Sequence, residues 1–189
     1  MSQASKTLTV SCRVLAAVVS VAAVAAVAAV VAVAAVAPPP PRLDDAFLDR
    51  MVGTWVLRGT IEGRSTTHDV EAAWVLGHNY VRIREVSRER DAVGRPAYEA
   101  IVFVGREPKG DGYACLWLDN TGSGGLAAPA IGHGRRRGDA VEFLFVGPDG
   151  SRFHTTFDLG ATDGSWQWRM DGESHGRLEP FARLRLTKE

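Results

Sequence analysis

The sequence predicts an all-β fold, an antiparallel up-and-down barrel of about eight to ten strands preceded by one short helix. Three observations carry this. Beyond residue 52 the apolar residues recur with period two, as in Trp55, Leu57 and Ile61 against Arg58 and Thr60, which is the spacing of a half-buried strand. Turn sequences such as Lys109-Gly110-Asp111-Gly112 and Pro148-Asp149-Gly150 separate the apolar runs, and all 20 glycines fall in this part of the chain. No later helical stretch is long enough to cross between parallel strands, so the connections are tight turns and the sheet is antiparallel. Closure is expected because a meander that closes on itself has no unpaired edges.

Taken in order, residues 1–37 stand apart. Lys6 and Arg13 precede residues 14–37, which hold twelve Ala, ten Val, one Leu, one Ser and no charge. A basic segment, an apolar run and the small-x-small triplets Ala32-Val33-Ala34 and Ala35-Val36-Ala37 follow the order of an export signal, with Pro38 disfavouring cleavage after Ala37. As a helix at about 1.5 Å per residue, the same run is long enough to serve as an uncleaved signal-anchor. Under either reading the positive charges stay inside, and the domain is exported to the periplasm or extracellular space or is held at the membrane by this helix. Pro38-Pro39-Pro40-Pro41 forms a stiff spacer, because proline fixes φ and has no N–H to donate. Residues 42–189 then form the barrel domain.

Within that domain Leu43, Phe47, Leu48 and Met51 fall at helical spacing over 42–52, with Asp44 and Asp45 in the first turn, where negative charge suits the helix dipole. Strands are expected over 55–61, 68–76, 81–84, 98–104, 113–119, 141–146, 152–158, 165–170 and 181–186. The stretch 120–139, with six glycines and Arg135-Arg136-Arg137, reads as the longest loop, a mobile flap at one mouth. Cys115 lies in an apolar strand and is expected to be a buried, inert thiol; with Cys12 before the apolar run, the domain has no internal disulfide.

Gly53-Thr54-Trp55, after a short helix, resembles the opening of the calycin superfamily, the lipocalins and fatty-acid-binding proteins. There the indole closes one barrel end and a basic residue of a late strand packs across it. The resemblance assigns the closing set to Gly53, Trp55 and Arg183 (or Arg185), and a guanidinium over an indole contributes roughly 0.5–2 kcal/mol. More closely, 43–188 resembles a group of often exported bacterial lipocalin-like proteins of unknown function. The matching blocks are Val52-Gly53-Thr54-Trp55, Glu71-Ala72-Ala73-Trp74-Val75-Leu76-Gly77 with Tyr80 and Arg82, Ala100-Ile101-Val102-Phe103, Leu116-Trp117-Leu118-Asp119, Trp166-Gln167-Trp168-Arg169-Met170 and Pro180-Phe181-Ala182-Arg183. That resemblance implies a fold and no activity.

Charge excludes some partners. The chain has 22 basic and 22 acidic side chains, so neither nucleic acid nor anionic lipid is expected, and membrane contact is left to residues 14–37. Catalytic signals are missing too. Gly122-Ser123-Gly124-Gly125 lacks the Gly-x-Ser-x-Gly elbow and its strand-turn-helix setting. Gly132-His133-Gly134 is followed by arginines and not by a helix that would cradle phosphate. His68, His78, His133, His154 and His175 occur singly, without metal-ligand spacing. No catalytic residue, metal or cofactor is therefore expected.

Aromatic residues at alternating positions remain. Trp74, Tyr80, Arg82, Tyr98, Trp117 and Trp168 are the expected ligand-binding set, lining a lumen; alternatively such side chains fill a solid core. The leading expectation is an exported, non-enzymatic barrel that binds a small hydrophobic or amphipathic molecule. One alternative is haem, since nitrobindin-like barrels open on a similar Gly-x-Trp; it needs His154, His133 or another histidine to face the lumen as axial ligand. A membrane-tethered envelope-interaction module is the other.

Overall fold

The computed structural model describes residues 42–189 except 123–125 and 127. The expected export signal and proline spacer lie outside the described residues. One helix, α1 (Ala46–Met51), leads into ten strands: β1 (Gly53–Ile61), β2 (Arg64–Val75), β3 (Tyr80–Ser87), β4 (Glu99–Arg106), β5 (Tyr113–Asp119), β6 (Ile131–Arg137), β7 (Ala140–Val146), β8 (Arg152–Asp158), β9 (Trp166–Ser174) and β10 (Arg177–Lys188). Each strand pairs antiparallel with the next, and β1 pairs with β10 from Trp55 opposite Lys188 to Ile61 opposite Ala182. The sheet is thus a closed up-and-down barrel, compatible with a calycin-type fold.

The helix is shorter than the periodicity suggests because Asp45 sets its start at Ala46. Asp45 has an extended backbone, and its Oδ1 accepts the N–H groups of Phe47 at 3.0 Å and Leu48 at 3.2 Å. It is therefore the cap before the helix and not a first-turn residue, satisfying donors that the helix itself leaves open. Phe47, Leu48 and Met51 are fully buried, so α1 plugs the barrel end from which β1 starts.

Strand β6 departs from the expected loop over 120–139. Its alternation was hidden because its inward positions include Gly132 and Gly134, while Arg135, Arg136 and Arg137 give it a polar composition. The glycines are spaces filled from the neighbouring strand. A Cβ on Gly132 would stand 2.6 Å from the Phe145 ring, and one on Gly134 would meet the Glu142 carbonyl oxygen at 2.3 Å. The ladder from β5 to β6 is short, covering Tyr113–Leu116 opposite Gly134–Ile131.

Trp55 sits at the plugged end, buried, with its indole N–H donating to the Met51 carbonyl at 2.9 Å. The cation across its ring is Lys188, whose Nζ is 5.2 Å from the ring centre, and not Arg183 or Arg185. Parity explains the correction. Ala182, Leu184 and Leu186 face the core, so Arg183 and Arg185 face outward, where they pair with Asp171 and Asp163. Lys188 continues the inward parity at the strand's end, directly opposite Trp55. Cys115 is fully buried, and burial pushes its thiol far above the ordinary range, which keeps it un-ionised and inert.

The closing seam depends on Gly59. A Cβ there would stand 2.0 Å from the Arg183 carbonyl oxygen and 2.9 Å from Leu184 Cα, both backbone atoms that cannot swing away. Gly59→Ala is expected to cost about 2–4 kcal/mol, since relief requires parting β1 from β10. Urea unfolding followed by tryptophan fluorescence checks this, with Gly172→Ala, whose Cβ would have no atom within 4 Å, as the milder comparison.

Candidate functional site

The interior divides across its length. The half next to α1 is solid. Trp55, Phe157, Trp166 and Trp168 interlock there, with ring centres 4.8 Å apart for Phe157 and Trp168 and 5.6 Å for Phe157 and Trp166, both pairs close to perpendicular. Each such edge-to-face contact adds about 0.5–1.5 kcal/mol beyond burial. At the plug itself the Tyr113 hydroxyl donates to Asp45 Oδ2 at 2.7 Å, and the Arg106 guanidinium lies 5.0 Å over the Tyr113 ring. Burial and then the hydrogen bond to Asp45 raise the Tyr113 phenol above its usual range, so it stays a donor.

The other half opens into a chamber of about 820 Å³. Its walls differ in character because the strands contribute different residues at their inward positions. On the side of β7 to β10 and β1 they are mostly apolar, Phe145, Phe153, Met170, Phe181 and Ile61, with Thr155 among them. On the side of β2 to β5 they are Thr66, His68, Ser87, Tyr98 and Trp117. Pro129 and Ala130, at the 3-10 turn after the 120–127 stretch, line the mouth. Phe153 and Phe181 meet edge to face at 5.4 Å.

Of the residues expected to contact a ligand, Tyr98 and Trp117 line the chamber, joined by a hydrogen bond of 3.2 Å from the indole N–H to the Tyr98 hydroxyl. Trp168 lies beneath them, buried, with its ring centre 5.2 Å from that of Trp117. Trp74, Tyr80 and Arg82 lie elsewhere. Trp74 is at the plugged end, donating to Asp49 at 2.8 Å and stacked on His78. Tyr80 and Arg82 alternate with the buried Val81 and Ile83 and so face outward. The Tyr80 ring covers Gly105, and Arg82 reaches Glu71 at 2.8 Å.

The chamber also contains a chain of polar groups that sequence patterns miss. The Thr66 hydroxyl is 2.6 Å from His68 Nε2, and His68 Nδ1 bonds to Glu85 Oε1. His68 and Glu85 are 2% and 1% exposed, so this is a buried carboxylate–imidazole–hydroxyl sequence. Glu85 Oε2 has no hydrogen-bond partner. The Tyr98 ring stacks on His68 with centres 5.7 Å apart. Burial, and then the charges of Glu85 and Asp119, drive the Tyr98 phenol well above its ordinary range, so its proton is retained. A sequence signal for this cluster exists. His68 shares parity with Val70 and Ala72, and Glu85 with Val81 and Ile83, which places two polar side chains on inward faces.

His133 and His154, the histidines named for an axial haem role, are on the outer wall. His133 bonds to Glu107 at 2.8 Å, and His154 lies between Glu142 at 2.5 Å and Glu173 at 3.0 Å. Among the described residues His68 is the histidine that lines the chamber, and with both ring nitrogens engaged it offers no free lone pair to iron. Compared with known proteins, no family model matches the chain, and no curated protein matches it either. What the site does therefore rests on its geometry.

Two outcomes follow from these side chains. Removing one partner of a buried hydrogen bond leaves the other polar group unsatisfied, which costs about 1–3 kcal/mol, and more where that group is charged. His68→Leu is therefore expected to destabilise by about that amount, and His68→Leu with Glu85→Leu by clearly less; chemical denaturation of both variants measures the coupling. On the outer wall, desolvation pulls the His154 imidazole down, but hydrogen bonds to Glu173 and Glu142 outweigh it and hold its pKa above 6.5. A raised folded-state pKa contributes stability that is complete below the unfolded value near 6.5 and is lost as pH rises through the folded value. The melting-temperature difference between the wild type and His154→Gln is thus expected to be largest near pH 5–6 and to shrink towards pH 8.

Proposed function

We propose that the barrel binds a small amphipathic molecule in its open half. The observation that carries this is a chamber of about 820 Å³ with one apolar and one hydrogen-bonding wall. Small-molecule pockets typically enclose about 300–1,000 Å³, mostly apolar with a few placed polar groups. Phe145, Phe153, Met170 and Phe181 suit the apolar body of such a ligand, while Thr66, Ser87 and Tyr98 suit a polar head. The solid half beyond Trp168 supplies a floor, so the ligand enters from the mouth and does not pass through.

The opening on Gly53-Thr54-Trp55, with Trp55 closing the plugged end, supports kinship with calycin-type binding barrels. The uncharged run over 14–37 and the proline spacer support a site of action outside the cytoplasm, free or tethered.

Titration with the neutral fluorophore phenylnaphthylamine tests the reading. Saturable enhancement at one probe per chain is expected, and Phe181→Arg at the mouth is expected to weaken it at least about tenfold, since a charge then replaces an apolar contact. Equal binding by wild type and Phe181→Arg, or no saturable binding by either, removes the proposal.

A further inference from the structure

We infer that Thr66, His68, Glu85 and Tyr98 form a nucleophilic site that hydrolyses a carboxylic ester held in the chamber. This rests on the chamber being a binding site for an amphipathic molecule and adds chemistry to it.

The backbone brings the groups together. Thr66 and His68 are two residues apart on β2 and so share its inner face. On β3, Ser87 stands opposite His68 and Glu85 opposite Val70, so the Glu85 carboxylate reaches the imidazole diagonally. Atom order matters more than proximity. The carboxylate engages Nδ1 and the hydroxyl engages Nε2, the order in which an acid orients a histidine that deprotonates an alcohol. In the neutral ring Glu85 holds the proton on Nδ1, and the Nε2 lone pair accepts the Thr66 O–H.

Burial supplies the driving force. Glu85 is 1% exposed, its Oε2 is unpartnered, and its hydrogen bond to His68 is the one that compensates it. A proton moving from Thr66 to His68 creates an imidazolium beside that carboxylate, in a medium where opposite charges attract far more strongly than in water. Thr66, unlike these two, is part exposed and lines the chamber, so the reactive oxygen is presented to a bound molecule. The Tyr98 hydroxyl accepts from Trp117, its own proton has no acceptor among the described residues, and its phenol stays protonated. It is the available donor for an oxyanion.

The reaction balances without any cofactor. Thr66 Oγ1 attacks the ester carbonyl carbon as its proton passes to His68 Nε2, and the carbonyl oxygen becomes an oxyanion that accepts from Tyr98. Collapse breaks the carbon–oxygen bond to the leaving alcohol, which takes the proton from His68, leaving an acyl-Thr66 ester. A water, deprotonated by His68, attacks that ester and releases the carboxylic acid, and Thr66 recovers its proton. Glu85 touches no reacting atom and acts as a positioning residue through His68. The apolar wall fits an ester with a hydrocarbon acyl chain.

The test uses the purified full chain with p-nitrophenyl butyrate, reading p-nitrophenolate release and the intact mass of the protein. Saturable turnover is expected, with butyrate trapped on the peptide containing Thr66. Thr66→Ser is expected to retain activity, and Thr66→Val, still folded by circular dichroism, to lose it by about a hundredfold or more. Glu85→Gln is expected to lower kcat while leaving KM in place. Wild-type turnover by Thr66→Val overturns the inference, as does acylation confined to other residues. Absence of turnover while phenylnaphthylamine still binds overturns the ester chemistry alone; absence of both overturns the binding reading beneath it.

Discussion

The seam between the first and last strands is the constraint on which the remaining structure depends. Pairing of β1 with β10 turns a ten-strand meander into a ring, and only a ring has an inside to which alternating residues can be assigned. The seam needs a glycine at position 59 because the Arg183 carbonyl occupies the space a side chain would take. It also brings Lys188 over Trp55, so the cation at the plugged end is a product of closure itself. A chain whose termini were not paired would expose two long edges and lose the distinction between core and chamber.

Given the ring, side-chain size decides how much of it is filled. Three tryptophans and Phe157 crowd the half next to α1, and the helix adds Phe47, Leu48 and Met51 from outside the sheet. Towards the mouth the inward positions of β2 to β4 fall to Thr66, His68, Ser87 and Tyr98, which are smaller or polar and cannot meet across the lumen. The chamber thus lies between these residues and the apolar side chains Phe145, Phe153, Met170 and Phe181 of the facing wall. Buried polar groups are tolerated there because they bond to one another, as His68 does to Thr66 and Glu85.

Much of this organisation was legible from residue order. Period-two alternation and the turn sequences locate nine of the strands, and Gly53-Thr54-Trp55 marks the closing indole. The failures have physical causes. Strand β6 escaped because Gly132 and Gly134 carry no apolar signal; their volume comes from Phe145 and Glu142 on β7, a pairing that is invisible before register is known. The calycin resemblance points to Arg183 or Arg185 as the cation over Trp55, but their parity turns them outward to Asp171 and Asp163. Likewise Tyr80 and Arg82 belong to the outer face of β3, while Tyr98 and Trp117 do line the chamber. Thr66, His68 and Glu85 come from two strands and make sense only as a set, so no single motif announces them.

The short ladder between β5 and β6 has a consequence for how the molecule breathes. A closed ring opens at whichever seam is held by the fewest bonds, and here four residue pairs join β5 to β6, whereas seven join β7 to β8. Amide protons of Tyr113–Leu116 and their partners should therefore exchange with solvent ahead of those in the other ladders, through a sub-global opening that leaves the α1 plug and the β1–β10 seam shut. In kinetic terms the ring has a designated hinge line, and solvent reaches the amides beside it at its opening rate.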